Sequence, residues 1–499
     1  MQMRYSVHLL VFLTAVGCSG GIRLQSATQP NFILFIADDM AWDDCGAYGH
    51  PKIRTPNIDK LARDGMRFDR AFLTASSCSP SRSSIITGQY PHNTDAEQLH
   101  WPLPADQVTF VEKLKAAGFW TASAGKWHLG NAMTNRFNLV KDAGTAGFQL
   151  PTGKAAEGAK MVERGTSDIQ SGCNDWVPTL RARPRNKPFF LWLAALDPHR
   201  DYEENIIPNP YQPEDVIVPP YLPDVSETRK DLALYYNEIT RLDRFIGDVL
   251  TELEKQGEEG NTFILFFSDN GRPFPRDKTT IYDSGIKTPW IVRWPGHVQP
   301  GSVCASLVSS IDIAPTLLEL ASVERPSTFH GLSFAPLLKN PGAAIRKYAF
   351  AEQNWHDYEA RSRAVRSVRF KYIRNEYPDL PLTPPADGVR SITYTAMRRL
   401  RDAGKLRSEQ LTCFIKPRPR EELYDTETDS YELKNLATDP KYSETLATLR
   451  QVLTDWQRET KDATPANRTA DEFDREEGTP LPNRVRPRPS KAEMLKSGS

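Results

Sequence analysis

The chain reads as an α/β protein: a mostly parallel sheet sandwiched by helices over residues 30–360, followed by a smaller α+β unit carrying an antiparallel sheet over 361–463. Three observations lead there. Apolar runs at 31–37 (NFILFIA), 188–195 (PFFLWLAA) and 262–267 (TFILFF) show no alternation, as strands buried on both faces should not. Segments of helical period lie between them, the pattern of parallel strands joined by crossovers. From about residue 364 the stretch AVRSVRFKYIRNE alternates instead, which suits an antiparallel strand with one wet face. At 499 residues the chain is long enough for one large core and a satellite.

The elements follow in order. Arg4 precedes an apolar stretch at 7–16 and then Gly17, Cys18, Ser19 and Gly20, the layout of an export leader. Ala15-Val16-Gly17-Cys18 resembles a bacterial lipobox with Ala15 in place of Leu, which makes Cys18 a candidate lipid anchor. Residues 1–29 are therefore set apart as leader and linker, and the protein is expected in the periplasm or lipid-anchored at the cell envelope. Thr55 and Pro56 open a helix that Gly65 closes, and Thr109 with Glu112 forms a capping box for one that ends before Gly118. A strand-like stretch at 119–124 follows. A long helix at 226–256 carries Leu232, Tyr235, Ile239, Leu242, Ile246, Val249 and Leu253 on one stripe and stops at Gly257. The second unit runs through a turn at ELYD (422–425) to an amphipathic helix at about 443–460, whose stripe includes Leu446, Leu449, Leu453 and Trp456. Residues 464–499, rich in Pro, Arg, Glu and Asp, are expected to be a disordered tail.

Composition narrows the function. Lys and Arg number 63 and Asp and Glu number 63, which argues against a whole-molecule basic surface built to hold nucleic acid and leaves only local patches open. Cys45, Cys78, Cys173, Cys304 and Cys413 are widely spaced with no CxxC pair, which argues against a zinc cage or a disulfide scaffold. In an exported protein an odd cysteine needs a reason, and one of the five should be chemically special.

Ligands of open α/β sheets bind beyond the carboxyl ends of the strands. The residues there are strongly polar: Asp38 and Asp39 after the first run, Ser268, Asp269 and Asn270 after the third, Asp197 and His199 after the second, and Lys126 and His128 after 119–124. Three acids and an amide at neighbouring strand ends suit a hard divalent cation, Ca2+ or Mg2+ rather than zinc, because clustered carboxylates repel until a metal joins them. Each pair by itself is also what an ordinary turn contains. The stretch SCSPSRSSIITGQYPH at 77–92 places Cys78 and Arg82 at a helix start, whose free amides suit an anionic group.

C-S-P-S-R followed by I-I-T-G resembles the signature of the type I, formylglycine-dependent sulfatases. The resemblance spans about residues 31–460 and implies an alkaline-phosphatase-like fold. It implies that Cys78 becomes formylglycine, through a formylglycine-generating or anaerobic maturation enzyme. It further implies a cation held by Asp38, Asp39, Asp269, Asn270 and the residue at position 78. Arg82 would support the aldehyde hydrate, Lys126 and His128 match the family's G-K-x-H segment, and His199 and Lys278 sit where groups contact sulfate and leaving atom. The implied chemistry suits these residue types: cations offset the charge that shields a sulfate from nucleophiles, Asp269 accepts a proton from the attacking hydroxyl, and His128 serves the second step.

SSCSPSR, DPHR at 197–200, SDNGRPFP at 268–275 and ELYDTETDSYELKNLATDP resemble the heparan N-sulfatase branch, which hydrolyses N-sulfoglucosamine. Lys278 departs from the Arg of that branch, and Lys can give up a proton to a leaving oxygen where Arg cannot. An O-sulfatase acting on another sulfated polysaccharide stays open for that reason. So do a phosphate or phosphonate monoester hydrolase of the same superfamily and an inactive sulfated-glycan binding protein. His100 and Arg200, close in sequence to site segments, are candidate sugar contacts, and a surface position would account for either equally. Trp101, Trp127 and Trp355 fit sugar stacking or core packing.

Overall fold

A computed structural model describes residues 29–143 and 171–482. The candidate lipobox and the rest of the leader before residue 29 lie outside the described residues, as does the chain beyond 482. Among the described residues, eight strands form the first sheet: β1 (Asn31–Ala37), β2 (Met66–Phe72), β3 (Trp120–Gly125), β4 (Leu139–Asp142), β5 (Phe189–Ala194), β6 (Thr262–Ser268), β7 (Trp290–Arg293) and β8 (Ser302–Ser309). Their order is β4-β3-β5-β1-β6-β7-β2-β8, and every strand but β7 points the same way. Helices α1 (Pro56–Arg63), α2 (Cys78–Thr87), α3 (Phe110–Ala116), α4 (Trp176–Ala182) and α5 (Ser226–Lys255) cover the two faces.

The unbroken apolar runs have a direct physical meaning here. Ile33, Phe35 and Ala37 of β1 enter one core with Leu191, Leu193, Ile264 and Phe266, where the predicted stripe of α5 meets them. Phe32, Leu34 and Ile36 enter the opposite core with Phe190, Trp192, Phe263 and Leu265, against Ile85 and Ile86 of α2 and Phe110 and Leu114 of α3. Each successive side chain is thus buried, on alternate sides. The Thr109 hydroxyl accepts from the Glu112 amide at 3.3 Å, so the predicted cap forms.

A second sheet joins β9 (Ala349–Gln353), β10 (Ser362–Arg366), β11 (Phe370–Asn375) and β12 (Glu421–Asp425), antiparallel throughout in the order β12-β11-β10-β9. Three expectations are corrected. AVRSVRFKYIRNE is two strands joined by a tight turn at 367–369, closed by the Ser367 amide donating to the Phe370 carbonyl at 2.8 Å. Alternation persists on both arms, so the turn leaves no break in the pattern. ELYD lies in strand β12 and is not a turn. The sheet's first strand, β9, comes from before residue 361, because Ala349 and Ala351 pack with Ala364 against Phe72, Leu73 and Ile286 of the larger unit.

The opposite face of this sheet, with Val365, Tyr372 and Leu423, receives Leu446, Leu449, Leu453 and Trp456 of the helix Ser443–Thr460. Leu453 is fully buried there. Leu453→Ala is expected to lower stability by about 2–5 kcal/mol, read from denaturant unfolding.

The expected disorder beyond 463 does not hold through residue 482. The Trp355 indole donates to the Ala470 carbonyl at 3.0 Å, the Glu472 amide to the Asp357 carbonyl at 2.9 Å, and the Tyr358 hydroxyl to the Asp474 carbonyl at 3.0 Å. Phe473 packs on the large core. The polar segment docks through these main-chain groups together with side-chain pairs such as Arg468 with Asp379 and Arg475 with the Glu359 carbonyl, which composition does not register. Among the described residues no helix is long and apolar enough to cross a membrane.

Candidate active site

The strand order sets β3, β5, β1 and β6 side by side, and their carboxyl ends deliver the polar residues to one place. Ala37 of β1 pairs with Ser268 of β6, so Asp38 and Asp39 emerge beside Asp269 and Asn270. All four are fully buried. The Asn270 side-chain amide donates to Asp39 Oδ1 at 2.9 Å, to Asp269 Oδ1 at 2.9 Å and to Cys78 Sγ at 3.3 Å. Cys78 opens α2, whose ten residues are all buried, and its Sγ lies 3.6 Å from Asp38 Oδ1. Acids about 230 residues from one another, and a cysteine from a third segment, therefore share one pocket.

Bases interleave with them. Arg82 Nε donates to Asp269 Oδ2 at 2.7 Å and its NH1 to the Lys126 carbonyl at 2.9 Å, while Lys278 Nζ donates to Asp39 Oδ2 at 2.6 Å. Lys126 Nζ hydrogen-bonds Asp38 Oδ2. His128 Nε2 shares a hydrogen bond of 2.9 Å with His100 Nδ1, and His128 Nδ1 is buried with no partner among the described residues. His199 Nε2 stands 3.7 Å from Asp39 Oδ2, with 28% of its side chain exposed. Asp39, His128 and His100 have φ of 74°, 51° and 64°, left-handed conformations that cost energy outside glycine and concentrate where geometry serves chemistry.

Burial and charge set the protonation states. Burial, opposed by Lys126 and Lys278, pushes the Cys78 thiol up to about 12, so an unmodified thiol here is inert as a nucleophile. Burial raises Asp39 to about 6, with Asp38 adding to it against Lys278, and burial raises Asp269 to about 6 against Arg82. Asp38 goes the other way: against burial, Lys126, His199 and Arg82 hold it well below the carboxylate range. Burial together with Lys278 and Lys126 brings His199 down to about 4, and burial, His100 and Lys126 keep His128 neutral.

The donor set fits a hard cation. Ligand atoms of Asp38, Asp39 and Cys78 all lie within 4.8 Å of one another, and the buried Asn270 Oδ1 has no hydrogen-bond partner among the described residues. Asp38, Asp39 and Asp269 are matched in charge by Arg82, Lys126 and Lys278. A divalent ion therefore leaves the pocket positive, the sign an anionic substrate requires.

Arg200 is corrected from sugar contact to structural residue. Its NH1 and NH2 grip Asp231 at 2.8 and 2.7 Å, its Nε donates to the Pro273 carbonyl at 2.9 Å, and its guanidinium lies over Tyr202 and Phe274. Trp101, Trp127 and Trp355 are buried in the body of the protein. Two residues at the site carry no motif and escaped sequence reasoning. His356 shares a hydrogen bond of 2.8 Å with Ser77, next to Cys78, and Asp387 Oδ2 lies 3.9 Å from His199 Nε2. Both arrive from segments near the second sheet, and only the fold brings them here. Cys45, Cys173, Cys304 and Cys413 are free, buried thiols elsewhere.

Comparison with known proteins agrees with this geometry. The family model described as Sulfatase matches residues 30–323, and that described as N-sulphoglucosamine sulphohydrolase, C-terminal, matches residues 274–379. The chain is 32% identical over 486 residues to the N-sulphoglucosamine sulphohydrolase of Homo sapiens, spanning 88% of this chain and 92% of that protein. It is 31% identical over 485 residues to an ulvan-active sulfatase of Formosa agariphila, spanning 90% and 80%. A solved structure in complex with D-glucosamine-2-N,6-O-disulfate shares the fold with a TM-score of 0.65 at 23% identity, covering 87% of this chain and 99% of that one.

Proposed function

Because the chain belongs to the sulfatase family, we propose that it removes the sulfate of a sulfated sugar, N-sulfoglucosamine foremost, using a formylglycine made from Cys78. The observation that carries this reading is the placement of Cys78: a thiol too buried to react lies within 3.6 Å of Asp38 and 3.3 Å of Asn270 amid three buried bases. The N-sulfoglucosamine assignment draws on the relative from Homo sapiens and on the match of residues 274–379.

Asp38, Asp39, Asp269, Asn270 and residue 78 would hold the divalent cation, which supplies positive charge against the sulfate oxygens when bound. Converted to formylglycine, residue 78 supplies an aldehyde hydrate with one hydroxyl to attack sulfur and a second to expel the sulfate afterwards. Arg82 fixes Asp269 through Nε, and Asp269 accepts the proton of the attacking hydroxyl at a carboxylate oxygen. Lys278, through Nζ, faces the departing oxygen or nitrogen and returns a proton to it, and His199, a neutral ring, stands beside it. His128 is neutral and takes the proton of the second hydroxyl at Nδ1, which has no partner among the described residues. His100 holds the opposite edge of that ring and so orients it.

The test is sulfate release by the exported protein from N-sulfoglucosamine, glucosamine 6-sulfate and an aryl sulfate, with the matching phosphate ester alongside. Preference for N-sulfoglucosamine supports the reading, a preferred O-sulfate moves it to another sulfated polysaccharide, and a preferred phosphate ester removes it. Removal of divalent ions with EDTA is expected to abolish sulfate release and to lower the thermal midpoint by several degrees, since a ligand at 100-fold its Kd contributes about 2.7 kcal/mol. An unchanged midpoint would argue against a cation at the buried acids.

A further inference from the structure

One carboxylate at this pocket has no part in holding a cation. Asp387 lies in the short helix Ala386–Val389, on the solvent side of the site, with 19% of its side chain exposed. The acids beneath it are fully closed off. Its Oδ1 accepts from the Gly388 amide at 2.7 Å. Its Oδ2, 3.9 Å from His199 Nε2, takes no hydrogen bond from the described residues.

The position is built rather than incidental. Asp357 Oδ2 accepts from the Ala386 amide at 2.8 Å, Asp357 itself adopts φ of 57°, and its carbonyl accepts from the Glu472 amide at 2.9 Å. The segment beyond 463 thus braces the loop that presents Asp387. Against burial, Lys278 and His199 hold the Asp387 carboxyl below the ordinary range, so it is ionised. A fixed negative charge at the mouth of a pocket that must admit an anion is unfavourable unless the substrate brings something to meet it.

We propose that Asp387 is a specificity-determining residue, whose carboxylate receives the amino group of the departing sugar and favours a leaving group that ends as a cation. When a sulfur–nitrogen bond breaks, the nitrogen keeps the bonding pair and takes up two protons, one from the site in place of the sulfur and one from water at neutral pH, and so becomes an ammonium. When a sulfur–oxygen bond breaks, the product hydroxyl stays neutral and gains far less from the same carboxylate. The inference rests on the N-sulfoglucosamine reading above and assigns it a residue, one outside the stretch matched by either family model.

The experiment is calorimetric titration of the matured, metal-loaded enzyme with glucosamine, N-acetylglucosamine and inorganic sulfate, for wild type, Asp387→Asn and Asp387→Ala. Wild type is expected to bind glucosamine about tenfold more tightly than N-acetylglucosamine, and both variants to erase that preference while sulfate binds no more weakly. Wild type that does not distinguish the two sugars overturns the proposal without need of a variant. A variant that keeps the preference, or that loses sulfate and glucosamine in parallel, overturns it as well. The underlying reading fails separately, by absence of sulfate release from N-sulfoglucosamine.

Discussion

Cys78→Ala is expected to reduce sulfate release by at least about 10⁴-fold while leaving the thermal midpoint within a few degrees of wild type. The loss is large because the variant removes the nucleophile itself. The stability change is small because the Sγ contacts at 3.6 and 3.3 Å are weak ones, and alanine is a good helix residue at the start of α2. Cys78→Ser sharpens the test: left as serine it places a hydroxyl at the same position but cannot supply two hydroxyls on one carbon, and it is expected to fall nearly as far. Retained turnover in Cys78→Ala, or an unmodified thiol found by mass analysis of the peptide around Cys78 in fully active enzyme, would contradict the mechanism.

Lys278→Ala is expected to cost about 10²–10³-fold in kcat/KM, the range seen when one group that stabilises developing charge is removed. Two effects combine. The variant withdraws a cation from beside the sulfate, and it frees Asp39 from its 2.6 Å partner, which leaves a buried acid with the Asn270 amide and the metal. Lys278→Arg separates charge from proton donation, because a guanidinium restores the first and not the second. If charge dominates, Lys278→Arg recovers most of the rate. If the lysine proton is what the leaving atom takes, Lys278→Arg stays slow on an O-sulfate, whose alkoxide needs that proton most. A Lys278→Ala enzyme with unchanged kcat/KM would remove the residue from the reaction.

What could be read in advance follows from how local each signal is. β1, β5 and β6 announce themselves because both of their faces are buried, and the residues after them were legible because a parallel sheet collects strand ends in one place. Cys78 and Arg82 sit in one helical stretch and carry a dense motif. Asp387 and His356 had neither advantage: nothing around them in sequence is unusual, and they reach the site only when the second sheet packs through Ala351, Ala364 and Ile373 onto Phe72 and Ile286. Arg200 shows the converse error. Proximity to His199 in sequence suggested a sugar contact, but the side chain turns onto Asp231, an acid presented by α5. The hairpin at 367–369 was hidden because alternation is indifferent to reversal of direction.

The burial of α2 constrains the order of events in the life of the molecule. From Cys78 to Thr87 no side chain is open to solvent, so any catalyst that rebuilds the first of them must seize an extended strand and work before the chain closes around it. A molecule that folds first is locked out, well shaped and inert for good. On the proposed reading, the fraction of working enzyme in a preparation is decided by a race between modification of Cys78 and folding, and no later treatment of the finished protein should raise it.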